Sequence, residues 1–312
     1  MKKTMAKTLC VAMLIMVMFS GVSMAAFWDS KPLIVTTTFP LYDFTKNVVG
    51  DKAEVSLLIP PGAEAHSWEP TPSAMVKIQK SKLFIYNGAG LEPWAEKMEN
   101  TILSKKKSLE ASTVVSLLSS EDAEHEQTRE IGHHHDHGQI DPHIWLDPVN
   151  AQAIVAAIAT AVSETDPDNA SVYAANAEAY INQLRVLDAE FQAVLAPAAG
   201  REFVTTHAAF AYMAKRYNLK QAAIMGIDPE AEPTPEAMAR IIKHIKNNNI
   251  AYIFAEPVLT SKLAVIISRE TGAQVLELNP VHEVDEKQIA QGENYITFMR
   301  GNLQNLKIAF GI

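Results

Sequence analysis

Two α/β lobes, each a parallel sheet flanked by helices and joined by a long rigid helix, are what this 312-residue sequence predicts, on three observations. Short β-branched runs alternate with amphipathic stretches, the pattern of βαβ units and parallel sheets. From Asn169 to Leu195 there is no Pro or Gly, and Tyr173, Ala177, Tyr180, Leu184, Leu187, Phe191 and Val194 recur at three- and four-residue steps. At 1.5 Å per residue such a helix runs roughly 40 Å, comparable with the width of a domain. After it the βα alternation starts again, so the helix is read as a strut between two lobes in preference to one more helix of a single lobe. The expected boundaries are an N-terminal lobe over residues 26–167, a linking helix over 168–196 and a C-terminal lobe over 197–312.

Element by element, the first lobe is expected to hold strands at 34–37, 54–59 and 83–86 and a weaker one at 113–117, where Thr113, Val114 and Val115 cluster. Helices follow Pro40, Pro72 and Pro93; Thr71-Pro72 supplies an N-cap and a first helical residue together. Val149 to Ser163 is an alanine-rich helix, and Asp166-Pro167-Asp168 separates it from the strut. In the second lobe strands are expected at 202–205, 222–225, 251–255 and 275–278. Thr234-Pro235 repeats the proline opening, Gly272 closes a helix over 261–271, and a last helix runs from Tyr295 to Leu306.

Lys2, Lys3 and Lys7 precede an apolar run from Leu9 to Phe19, and Gly21-Val22-Ser23-Met24-Ala25 ends it in small residues. Residues 1–25 therefore read as a cleavable export signal. Its apolar core, about a dozen residues, is too short to span a bilayer comfortably. The single cysteine, Cys10, lies early in that core, badly placed for lipidation after cleavage. The mature chain is thus expected to be soluble, with no disulfide and no Cys-ligated zinc. Three lysines and no acid leave with the signal, taking the net charge from −9 to −12. That balance argues against nucleic acid and against an anionic membrane surface as partner.

The chemistry gathers in histidines. His125 to Pro148 holds six of the chain's ten: His125, His133, His134, His135, His137 and His143. The first five lie in a polar tract within residues 121–140, whereas His143 sits in Asp141-Pro142-His143-Ile144-Trp145-Leu146-Asp147-Pro148, bracketed by two Asp-Pro steps. His66 and His207 each follow a strand and precede a helix. Loops beyond the carboxyl ends of parallel strands line the ligand crevice, so His66, His143 and His207 can converge although they are far apart in sequence. Three neutral imidazoles with a fourth position left over is a common zinc arrangement. The His-rich tract reads as an accessory, flexible, low-affinity zinc-collecting loop, a solvated loop being the alternative.

These residues resemble the metal-specific periplasmic substrate-binding proteins of ABC transporters, in particular the zinc-uptake, ZnuA-type branch. The resemblance rests on Pro61-Gly62-Ala63-Glu64-Ala65-His66 with Pro70-Thr71-Pro72-Ser73, on Asp141 to Pro148, on Thr206-His207-Ala208-Ala209-Phe210, on Pro233-Thr234-Pro235-Glu236 and on Tyr295 to Leu306. It implies two lobes joined by a long helix, with Zn2+ in the cleft as transported ligand, and a periplasmic, monomeric protein that serves a membrane permease and its ATPase. It implies His66 and His143 as ligands from the first lobe and His207 from the second. Manganese-type members tend to carry glutamate at the third place, so His207 favours zinc. Many members place an aspartate ligand where this chain has Asn279, which leaves the fourth place open to Asn279, Glu64 or water, with His282 a more remote substitute. The resemblance also gives Glu256 an orienting or lobe-closing role, plain helix capping being the alternative.

Asp141 and Asp147 are further residues able to orient imidazoles, an ordinary Asp-Pro turn being the alternative; Trp68 and Trp145 are expected to pack around the cleft, and His244 is expected to face solvent. Binding is expected to weaken as pH falls towards the ordinary histidine value near 6.5. A strut-like helix implies modest lobe movement. Two competing functions remain at this level: the same binding role for manganese or iron, and a zinc hydrolase, for which no HExxH helix is present.

Overall fold

Strands this short and apolar persist where helices cover both faces of the sheet. A computed structural model of the chain describes residues 31–99, 107–119, 140–227, 233–257, 262–282 and 284–312. Residues 33–312 cluster as one unit. In the first lobe β1 (Leu33–Thr36), β2 (Glu54–Leu57), β3 (Leu83–Tyr86) and β4 (Ser108–Glu110) run parallel in the order β2-β1-β3-β4. In the second, β5 (Glu202–Thr205), β6 (Lys220–Ala223), β7 (Tyr252–Ala255) and β8 (Gln274–Glu277) repeat that order as β6-β5-β7-β8. In each sheet the chain leaves its first strand to one side and returns on the other. The crevices beyond the carboxyl ends of β1 and β3, and of β5 and β7, are therefore switch points of the kind that take ligands.

Several helices start where proline pairs place them. α1 (Phe39–Val49) follows β1 and ends at Gly50, whose φ of +57° a side chain would resist. Thr71 accepts from the Ala74 N–H to open α2 (Pro72–Lys80), and α3 (Pro93–Glu99) follows β3. Asp147 accepts from the Val149 N–H at 2.8 Å to open α4 (Pro148–Thr165), so the second Asp-Pro step is an N-cap.

α5 (Ala170–Leu195) is the strut. Its first half grips the N-terminal lobe, where Asn176 Nδ2 donates to the Val48 carbonyl at 3.0 Å and the Tyr180 hydroxyl donates to Asp43 at 2.8 Å. The second lobe adds α6 (Ala211–Arg216), α7 (Pro235–Asn247), α8 (Lys262–Thr271), α9 (Glu286–Ala290) and α10 (Tyr295–Phe310). The second half of α5 grips that lobe through two forked ion pairs, Arg216 on Asp188 and Arg300 on Glu190. Tyr173, Ala177, Tyr180, Ile181, Leu184, Leu187, Phe191 and Leu195 are buried along it. They belong to one apolar core that runs through both lobes and includes Phe39, Trp145, Phe210 and Tyr295. A smaller core covers the other face of each sheet.

Three expectations need correction. The weak strand expected at 113–117 is instead β4 at 108–110, and Ala111–Val114 forms a 3-10 turn. The β-branched Val114 is exposed at that surface, whereas Ser108, Leu109 and Glu110 pair with Phe84, Ile85 and Tyr86. Parallel register overrides propensity there. His244, expected in solvent, is partly buried against Glu202. α9 was not expected at all; Asp285 and Gln288 form its capping box. The export signal and the histidines at 125, 133, 134, 135 and 137 lie outside the described residues. Among those that are described, no helix is long and apolar enough to cross a membrane.

Candidate metal centre

His66 stands in the loop between β2 and α2, and its backbone N–H donates to Glu64 Oε1 at 3.0 Å. His143 is carried on a buried strap, residues 141–147, that leads into α4. Asp141 Oδ1 accepts from the backbone N–H of His143 at 2.9 Å and from its Nδ1 at 2.8 Å. With the carboxylate on Nδ1, the proton stays on that nitrogen and the Nε2 lone pair is left for a metal. The strap is anchored in turn by Asn87 Nδ2, which donates to the Pro142 carbonyl at 2.9 Å.

From the second lobe, His207 follows β5, with Nδ1 2.8 Å from Glu256 Oε1 at the end of β7. Its Nε2 lies 2.7 Å from the Ile227 carbonyl. Asp141 and Glu256 thus each bond an imidazole Nδ1, but Nε2 of His207 meets the Ile227 carbonyl whereas Nε2 of His143 faces His66. Asp147, by contrast, serves as a helix cap. His282 arrives on the turn after β8 and is 5 % exposed.

The four imidazoles meet. His66 Nε2 and His143 Nε2 are 3.2 Å apart, close to the roughly 3.3 Å edge of a tetrahedron of nitrogens around zinc. The His143 and His207 rings are 4.9 Å apart by centroid, His66 and His207 5.5 Å, and His282 is 5.7 Å from both His66 and His143. Metal-binding atoms of His66, His143 and His207 all lie within 4.8 Å of one another, and so do those of Glu64, His66 and His282. Asn279 lies beside the group but is occupied in building the turn. Its Oδ1 accepts from the Val281 N–H at 2.7 Å, and Asn302 bonds its backbone on both sides at 2.7 Å.

Burial, helped by the charge of His207, holds His66 and His143 well below the ordinary histidine pKa. Burial takes His282 down to about 4, against the opposing charge of Glu256. Burial also pulls on His207, yet the charge and hydrogen bond of Glu256 outweigh it and the net shift is upward. His66, His143 and His282 therefore stay neutral well below pH 6.5 and present lone pairs, the state a metal requires. Trp145 and Trp68 pack as expected: Trp145 lies edge-on to His143 and His282, and Trp68 against Trp94.

A family model described as the periplasmic zinc-uptake complex component A, ZnuA, matches residues 34–309. The chain belongs to the ZnuA family. Within it, the chain is 41 % identical over 283 residues to the zinc-binding lipoprotein AdcA of Streptococcus pneumoniae, a match covering 89 % of this chain and 56 % of AdcA. The chain thus spans about half the length of that relative. It is 38 % identical over 275 residues to the high-affinity zinc uptake system protein ZnuA of Bacillus subtilis, covering 88 % of this chain and 86 % of that one. Among solved structures, the Zn(II)-bound ZnuA-like domain of Streptococcus pneumoniae AdcA superposes with a TM-score of 0.76 at 38 % identity, over 90 % of this chain and 99 % of that domain. The lobes, parallel sheets and long helix are those of this ZnuA-like fold.

Sequence reasoning gave His282 only a remote place and missed Asn87 and Ile227. The available signal for His282 was its place three residues beyond Asn279, after the last strand. Nothing local marks the others, which act through contacts 20 to 55 residues away.

Proposed function

We propose that this ZnuA-family chain captures Zn2+ outside the inner membrane and hands it to an ABC permease driven by its ATPase. In this reading it is a monomeric, exported binding protein, with residues 1–25 as its signal and no turnover of its own. The lobes are residues 26–167 and 197–312, joined through 168–196. The single observation that supports it best is the gathering of His66, His143 and His207, with His282 beside them, from four separate loops. His282 takes the fourth place in preference to Asn279, whose amide oxygen already serves Val281. Glu64, with Oε1 4.0 Å from His282 Nε2, stands beside the set as an additional oxygen donor. Four imidazoles suit a borderline-soft ion such as zinc better than hard manganese, which supports zinc within the binding class. The His-rich tract is assigned an accessory role in collecting metal.

Titration of the metal-free protein with zinc against a chromogenic chelator tests this. His207→Ala and His282→Ala should each lose more than the roughly 10- to 100-fold in affinity that an outer hydrogen-bond partner costs. Deletion of residues 127–138 should leave tight binding in place. If the deletion abolished tight binding while both alanine variants kept it, the metal would sit elsewhere. Metal-dependent hydrolysis in a parallel assay would overturn the binding role.

A further inference from the structure

We infer that Trp145 is a positioning residue whose indole N–H, reaching from the first lobe, holds the turn that presents His282 and so sets how long zinc stays bound. The inference rests on the metal site proposed above, with His143 and His282 as ligands from opposite lobes.

The turn after β8 is strained. Val281 has φ of +67°, in the left-handed region that a β-branched residue almost never adopts. Such a conformation persists only where its surroundings over-determine it, and it clusters at functional sites. Three contacts hold this one. Asn279 Oδ1 accepts from the Val281 N–H, and Asn302 on α10 clamps Asn279 through its backbone N–H and carbonyl. Both belong to the second lobe. The third crosses the cleft: Trp145 Nε1 donates to the Pro280 carbonyl at 2.7 Å, directly before the strained residue.

Trp145 is itself fixed from both sides. It is 1 % exposed, its ring lies edge-on to His143 at 5.4 Å and to His282 at 5.8 Å, and its carbonyl accepts from the Tyr295 hydroxyl at 2.6 Å. One residue thus touches a ligand from each lobe and bonds to the backbone that carries the second. Both ends of the Trp145–Pro280 bond are buried, and the Pro280 backbone also bonds the His282 ring, so losing the indole donor loosens a carbonyl that helps to place that ring, with no water to take the donor's place. The Val281 turn is then free to relax to negative φ, which withdraws His282 from the metal. Formation of the site from the metal-free protein is limited by encounter, so the loss falls on release.

The test replaces Trp145 in the full chain with β-(3-benzothienyl)alanine, which keeps the bicyclic outline and puts sulfur where the N–H was. Zn2+ release into excess chelator is followed by stopped flow, and Co2+ is used as a spectroscopic stand-in. Release should be about tenfold faster with association unchanged, as expected for one buried hydrogen bond. The visible Co2+ spectrum should shift with the altered ligand geometry. Adding Val281→Gly, which removes the strain, should restore much of the slow release and the original spectrum, a rescue that a loss of general packing would not show. Unchanged release and an unchanged Co2+ spectrum in the isostere overturn the inference, provided that His143→Ala abolishes tight binding. Wild-type affinity in His143→Ala overturns instead the metal site on which the inference rests.

Discussion

Glu92 is wholly buried and held by three neutral donors: the Thr37 hydroxyl at 2.5 Å, the Asn87 N–H at 3.0 Å and the Gly88 N–H at 3.0 Å. Burial outweighs those bonds and pushes its carboxyl from 4.5 up to about 7. Between those values the folded protein keeps a proton that the unfolded chain has lost. Stability from this group is therefore full below about pH 4.5, falls as pH rises through the window and levels off above about 7. The buried His66 and His143, with lowered pKa values, act in the opposite sense, so the wild-type curve alone does not isolate Glu92. Glu92→Gln cannot ionise and loses the bond from Gly88, which costs about 1 kcal/mol. The melting temperature of the wild type minus that of Glu92→Gln, both with chelator, should shrink from pH 4.5 to 7; parallel curves would refute this. At this scale little of the site was legible beforehand. Histidines placed together beyond strand ends mark a candidate site, but the carboxylates bonded to their rings and the amide that anchors the His143 strap are recognisable only once folded.

Among the elements, α5 was the most legible, because an unbroken three- and four-residue apolar repeat survives any tertiary arrangement. Its stripe was read almost in full; Ile181 and Leu195 joined it in the structure, and Val194 is only partly buried. Leu184, fully buried at the middle of that stripe, should cost about 2–5 kcal/mol when cut to alanine, visible in chemical denaturation as a lower midpoint. A loss smaller than the uncertainty of the extrapolation would mean that the strut does not carry the core. β4 was misplaced for the converse reason. Three residues hold no periodicity, and their partners on β3 are more than twenty residues away. The Asp-Pro bracket around His143 was legible as punctuation but not as division of labour. Asp141 orients the ring, whereas Asp147 caps α4.

In the whole molecule, the lobes are welded by a shared core, by Phe39 against Phe298 at 5.9 Å, and by α5 with one half gripping each lobe. A hinge would have to open that core. Solution scattering of the metal-free and zinc-loaded proteins should therefore give nearly superimposable profiles, and a wide domain closure on loading would contradict this. The sequence by itself determined the α/β class, the two-lobed plan, the strut and three of the four converging histidines, because hydrophobic period, proline punctuation and strand-end position are local properties. Tertiary structure decided the rest. His282 came to lie beside the three expected histidines while the Asn279 amide was taken up by Val281, Asp141 and Glu256 bonded the imidazoles of His143 and His207, and Trp145 bonded across the lobes to Pro280. Each of those outcomes depends on which buried donor finds which acceptor across the cleft, and that pairing exists only after the lobes have packed.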